Sequence, residues 1–291
     1  MLQRQRCILA ILEAAGGSLN RTTLVKCAFL LRHETILSEA PTFYDFLPYK
    51  YGPFSFGLYR EIDSLRRDGH LAKTEDSISL RPGLCAAQTI APLPQSVKAA
   101  VSEIVAKYAR MRQRDLLRYV YHRYPWFATR SELPDVAPES LPLVASAEPA
   151  VYTIGYEGRS VDSFFNYLLS KGIQAIVDVR ANAISRKYGF AGMSLTEISS
   201  KLGLDYKHMP QLGICSEERH DLTTPGAYEA LLDRYEQASL PQRQEHMEIL
   251  SALLLAKSSV ILCMERDPGM CHRGRLAPRL SQLSGLPIVH L

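Results

Sequence analysis

Val260-Ile261-Leu262-Cys263-Met264-Glu265-Arg266-Asp267-Pro268-Gly269-Met270-Cys271-His272-Arg273 decides the fold class of this 291-residue chain. An apolar run with a β-branched start stops abruptly. An acid, a helix-start pair and a Cys-His-Arg triplet follow at once. A buried strand that ends where polar groups gather, just before a helix, is the way an α/β sheet carries a site.

Working outward, the same alternation recurs. Strands are expected at Val151–Gly155, Ala175–Val179, Tyr206–Met209, Ser259–Cys263 and Pro287–His290. Helices are expected at Val161–Lys171, Ser194–Leu202, Gly226–Glu236, Pro241–Ala256 and Pro268–Leu283, with Ser194 and Glu197 as a capping box. Strand and helix in turn predict a mainly parallel sheet with helices on both faces. Upstream, the period is helical over about 3–15 and 55–68, and between them Leu24, Cys27, Ala28 and Leu31 share the inward face of a second helix. Asn20 or Thr22 caps the second helix, and short extended pieces lie near His70–Lys73 and Ser77–Leu80. That order predicts a mostly helical, winged-helix-like N-terminal domain. Between the two parts, Pro134, Pro138, Pro142 and Pro149 interrupt a stretch without periodicity, which reads as a linker. The expected organisation is 1–130, linker 131–149, and an α/β domain at 150–291.

Composition narrows the function classes. No apolar run approaches the roughly 20 residues of a membrane helix. The basic start Met1–Cys7 lacks the apolar core of a signal peptide, so a cytoplasmic protein is expected. Six cysteines (Cys7, Cys27, Cys85, Cys215, Cys263, Cys271) form no CxxC pair, which fits a reduced environment without a disulfide framework. The net charge is +4. Residues up to 145 carry about five more basic than acidic side chains, so the N-terminal part is the one suited to a polyanion. The 155–158 loop lacks the Walker lysine and GxGxxG spacing, so no ATP, NAD or other cofactor is expected.

In an open parallel sheet, ligands sit beyond the carboxyl ends of strands. Four clusters follow the expected strands: Tyr156 to Ser160; Asp178, Arg180, Arg186 and Lys187; Gln211 and Gly213; and Glu265, Asp267, Cys271, His272 and Arg273. Glu265 is a candidate general acid or base, or a carboxylate facing an oxocarbenium-like centre. Asp178 is either its partner or the holder of Arg180. Arg180, Arg186, Lys187 and Arg273 suit a phosphate grip, with Tyr156 and Gln211 on the substrate side. His272 can move a proton. Asp267-Pro268 opens a helix that would place Cys271 in its first turn, where the helix dipole, His272 and Arg273 favour a thiolate; the alternative is a small buried apolar group. Cys215, His220, Cys263, Cys271 and His272 match no closed zinc spacing, and no metal is expected. In the N-terminal part, Lys50, Arg110, Arg112, Arg114 and Arg118 stand among Tyr108, Tyr119, Tyr121 and Tyr124. That mix suits phosphate contact with base stacking, or an amphipathic helix with its tyrosines in the core.

Two resemblances add to this. Tyr49-Lys50-Tyr51-Gly52-Pro53-Phe54-Ser55 with Leu58-Tyr59-Arg60 and Tyr121-His122-Arg123-Tyr124-Pro125-Trp126 resembles the antitoxin-like family called Panacea, which implies a recognition module. Thr153-Ile154-Gly155, Val177-Asp178-Val179-Arg180, Tyr206 to Gly213 and Cys263 to Arg273 resemble, in order, the family called domain of unknown function 488. That resemblance implies an α/β fold and a site, with nucleic-acid modules as neighbours, and no established reaction. The expectation is a nucleic-acid-directed enzyme that hydrolyses a glycosidic or phosphate bond of a nucleotide in DNA, with RNA second, in DNA modification or phage defence. The N-terminal module would bind DNA or a protein partner. The alternatives are sulfur transfer with Cys271 or Cys263 as carrier, and a non-enzymatic nucleotide sensor.

Overall fold

A computed structural model describes residues 1–72, 77–83, 93–143, 146–219 and 224–291. Lys73, Cys85 and His220 lie outside the described residues. The chain divides into two compact units, Met1–Leu143 and Val144–Leu291.

The N-terminal unit is mostly helical. Helix α1 spans Gln3–Ala14, α2 Arg21–Glu34, α3 Phe56–Arg67, α4 Gln95–Tyr108 and α5 Gln113–Arg123. Asn20 caps α2 by accepting from the Thr23 amide, and Ser55 caps α3 through Leu58. Strand β1 (Ser18–Asn20) pairs antiparallel with β4 (Ser77–Ser79), while β2 (Leu47–Tyr49) and β3 (Gly52–Phe54) form a hairpin between α2 and α3. That hairpin occupies the aromatic, turn-rich stretch. The basic region near residues 101–124 is two helices broken at Ala109–Arg112. The start of the expected linker belongs to this unit: Pro134–Val136 forms a 3-10 turn, and Val136 is buried in the same core as Ile8, Phe29 and Val120.

The C-terminal unit holds one five-stranded sheet. Its strands are β5 (Val151–Gly155), β6 (Ala175–Asp178), β7 (Asp205–His208), β8 (Ser259–Cys263) and β9 (Ile288–His290). Every pairing is parallel, in the order β7-β6-β8-β5-β9. The inner strands are buried at every position, as two covered faces require. The helices are α6 (Val161–Ser170), α7 (Gly192–Lys201), α8 (Pro225–Arg234), α9 (Gln244–Ala256) and α10 (His272–Ser284). Val151, Val177 and Ile261 pack with Leu231, Tyr235, Leu250 and Leu276, so α8, α9 and α10 cover that face. The alternate positions, among them Asp178 and its neighbour Leu262, point to the other face.

Two expected starts differ. Helix α7 begins at Gly192 behind Ala191, so Ser194 lies inside its first turn and does not cap it. Asp267-Pro268 opens only a 3-10 turn, Pro268–Met270, because Asp267 accepts from the Gly269 amide and closes the turn locally. The chain then extends through Cys271, which is the N-cap of α10.

The chain leaves β6 toward β7 on one side and leaves β8 across β5 toward β9 on the other. The two connections diverge between neighbouring strands. Such a divergence, beyond the ends of β6 and β8, is the place where open α/β sheets bind ligands.

Candidate active site in the C-terminal unit

Asp178, the last residue of β6, is fully buried. Its Oδ1 accepts from the Arg180 amide (3.1 Å) and Nε (2.8 Å), and its Oδ2 from Arg180 Nη2 (2.5 Å) and the Tyr206 hydroxyl (2.7 Å). All of its near lone pairs are engaged. Burial opposes the Arg180 charge, but the carboxylate more than offsets this and holds its pKa above the ordinary arginine range. Burial, then the Asp178 charge, pushes the Tyr206 hydroxyl up. Arg180 Nη1 reaches the Tyr156 hydroxyl at 3.3 Å, and the Tyr156 ring stacks on Phe190 at 4.4 Å. Lys187 donates to the Tyr156 carbonyl, and burial lowers its pKa. Arg186 and Gln211 are exposed.

The second cluster lies on the opposite face, at the end of β8. Cys263 Sγ stands 3.2 Å from Glu265 Oε2 and 3.6 Å from His272 Nδ1; Cys271 Sγ is 3.9 Å from the same nitrogen. Both thiols and His272 are buried. His272 Nε2 donates to the Val179 carbonyl at 3.1 Å, which leaves Nδ1 as the lone-pair nitrogen facing the sulfurs. Tyr235 stands edge-on to the imidazole. Burial resists a charge on Cys271, yet the Cys263 thiol, His272 and Arg273 outweigh it and hold Cys271 below the ordinary thiol range. Cys263, hydrogen-bonded to Cys271, is pushed up.

Glu265 is half-buried at the mouth of this cluster. Burial, and then Cys271, raises its pKa. The Tyr228 hydroxyl lies 3.5 Å from its Oε1 and is itself pushed up to about 12 by burial and the Glu265 charge. Among the described residues, no ion pair engages Glu265.

Arg273 is almost wholly buried and is not a surface phosphate grip. Its Nη1 and Nη2 donate to the carbonyls of Glu265 (2.5 Å) and Arg266 (2.8 Å), and so hold the loop after β8 in place. Two glycines let that loop approach. A Cβ on Gly155 would fall 1.7 Å from the Glu265 carbonyl oxygen, and one on Gly274 2.1 Å from that of Pro268.

Residues 160–280 match the family model described as Domain of unknown function DUF488. The matched segment holds Asp178, Arg180, Tyr206 and the Cys263, Glu265, Cys271 and His272 cluster, and leaves out Tyr156, β5 and β9. No curated protein and no solved structure matches the chain.

The sheet edge therefore carries two side-chain clusters instead of one carboxylate pair. Among the described residues, Asp178 and Glu265 share no partner, because the β-pleat sends Asp178 and Cys263 to opposite faces. Cys263, Tyr206 and Tyr228 complete the clusters. Cys263 was legible as an odd position of β8 on the α10 face; Tyr228 carries no motif. In the N-terminal unit, Tyr108, Tyr119 and Tyr124 gather their hydroxyls on Glu34, and Tyr121 is fully buried, so these rings are core and not a stacking platform. Arg110, Arg112 and Arg118 are exposed, Arg114 pairs with Asp135, and Lys50 with Glu132.

Proposed function

We propose that the C-terminal unit is a hydrolase acting on a nucleotide, most readily within DNA, with Glu265 as the carboxylate that handles the proton. One observation carries the proposal: Glu265 is a half-buried acid at the mouth of a buried Cys-Cys-His cluster, with no cation paired to it among the described residues. A structural carboxylate at such a depth is ordinarily neutralised by Arg or Lys, as Asp178 is. Glu265 takes a proton from water, the water oxygen attacks the glycosidic carbon or phosphorus, and the same proton goes to the leaving group as its bond breaks. His272, fixed by Val179, and the two thiols shape and polarise the floor of the site. Arg110, Arg112, Arg118 and Arg123, exposed on the N-terminal unit, supply the phosphate contacts.

Sulfur transfer through Cys271 has one point in its favour, the thiol's place at the N-terminus of a 13-residue helix. Cys271 is 1% exposed, however, and a sulfur carrier must meet its acceptor. The deciding experiment incubates the full chain with duplex DNA, single-stranded DNA, RNA and free nucleotides, and identifies products by mass spectrometry. Glu265→Gln should lower turnover by about 10²–10⁴-fold with the fold intact. Absence of turnover on every substrate, or full activity of Glu265→Gln, overturns the proposal.

A further inference from the structure

We infer that Cys263, Cys271 and His272 form a binding site for a tetrahedral divalent transition metal, zinc by preference, with a fourth position open toward Glu265. The inference deepens the hydrolase proposal, yet the two can fail separately.

Three donor atoms, Cys263 Sγ, Cys271 Sγ and His272 Nδ1, all lie within 4.8 Å of one another, on buried residues. Their separations are more telling than their proximity. The Sγ to Nδ1 distances are 3.6 and 3.9 Å, and a hydrogen bond or a shared ion can occupy them. A tetrahedral ion with bonds of about 2.3 Å to sulfur and 2.05 Å to nitrogen sets its donors about 3.5–3.8 Å apart. The two sulfur–nitrogen distances thus stand close to edges of a zinc tetrahedron, and the two sulfurs lie within 4.8 Å of each other.

The surroundings point the same way by an independent route. A metal-bound histidine commonly donates its other ring nitrogen to a carbonyl or carboxylate, which fixes the tautomer and aims the lone pair. His272 Nε2 donates to the Val179 carbonyl at 3.1 Å, and Nδ1 is thereby turned to the two sulfurs. Charge closes as well. A divalent ion would balance the two thiolates that bind it. Without a cation, two sulfurs, an imidazole and a carboxylate crowd into one low-dielectric corner.

Two thiolates and one imidazole select a borderline-soft ion over magnesium or calcium. Three protein ligands with a free position is the catalytic form of a zinc site, in contrast to the closed four-ligand structural form. Glu265 Oε2, 3.2 Å from Cys263 Sγ, is placed to take the proton of a water in that position. A phosphate or glycosidic oxygen of the substrate would share the same ion.

The test uses the purified full chain, stripped with a chelator and titrated with cobalt(II), then with zinc. Expected are one ion per chain and a cobalt spectrum with tetrahedral d–d bands and charge-transfer absorption from two thiolates. Cys271→Ser should lose about half of that absorption and weaken binding by more than the roughly 10–100-fold that outer hydrogen-bond changes cost. The wild-type spectrum needs no variant, so a folding defect in Cys271→Ser does not blunt the test. Failure to bind either ion at micromolar concentration overturns the inference. So does a six-coordinate, thiolate-free spectrum, or turnover that survives complete removal of metal. Binding with the two-thiolate spectrum but no turnover supports the metal site and counts against the hydrolase.

Discussion

Replacing Asp178 by Ala should damage the sheet far more than it damages any proton transfer. The carboxylate is fully buried and accepts four hydrogen bonds, three of them from Arg180. Its removal leaves a guanidinium that is 6% exposed without a counter-charge, and the Tyr206 hydroxyl without its acceptor. Removing one partner of a buried pair costs about 3–5 kcal/mol. Replacing both by apolar side chains of similar shape, Asp178→Leu with Arg180→Met, should return the unit to within about 1.5 kcal/mol of wild type, because no uncompensated charge remains. The lone tryptophan, Trp126, lies in the other unit, so fluorescence does not report on this one. Amide hydrogen exchange by mass spectrometry does. Peptides covering Ala175–Val179 should exchange about 10²–10⁴-fold faster in Asp178→Ala, at roughly 1.4 kcal/mol per tenfold, and the double variant should recover most of that protection. Two results would refute the reasoning. One is a rise of less than tenfold in Asp178→Ala. The other is a double variant as unprotected as the single.

Two further predictions rest on local geometry. Gly274→Ala sits in α10, where the exchange ordinarily stabilises a helix by about 1 kcal/mol. Here the new Cβ meets the Pro268 carbonyl at 2.1 Å, so urea denaturation followed by circular dichroism should show a loss of about 1–3 kcal/mol; a gain would mean the turn does not pack there. Lys26 is buried, donates to the carbonyls of Tyr51 (2.5 Å) and Pro53 (2.9 Å), and burial brings its pKa down to about 7. Between about pH 7 and 10.5 the unfolded chain holds this proton and the folded chain does not, so stability rises with pH. The full shift corresponds to about 5 kcal/mol, and the two carbonyls hold part of the charge, so a gain of about 1–3 kcal/mol is expected from pH 7 to 10. Trp126 fluorescence in urea should follow the gain, and Lys26→Met should flatten it; equal slopes in both proteins would sink the assignment.

The sheet was legible because its inner strands are short apolar runs bounded by turns, and their bounds hold to within a residue at Val151–Gly155 and Ser259–Cys263. The N-terminal hairpin was not, because Leu47–Tyr49 and Gly52–Phe54 are three-residue strands rich in proline and aromatics, with no period to read. Asp267-Pro268 misled for a physical reason: the pair caps a single 3-10 turn as well as it caps a helix, and only the extended backbone at Cys271 separates the two. The polar residues after β6 and β8 were legible as strand-end groups. Their division into two clusters was not, since it depends on pleat parity across neighbouring strands.

Parity also explains how the two clusters relate. Asp178 and Cys263 face opposite sides, yet the residues between them belong to both. Val179 gives its carbonyl to His272, while Arg180 is clamped by Asp178 and gives its own carbonyl to His208 at 2.7 Å. The clamp on one face thereby fixes the backbone that sets the His272 tautomer on the other. The Asp178–Arg180 pair holds the frame, and the proposed chemistry falls to the thiols, the imidazole and Glu265. The same logic sorts the two buried arginines. Arg180 is neutralised by a carboxylate and holds β6. Arg273 donates to two carbonyls and fixes the loop from which Glu265 projects.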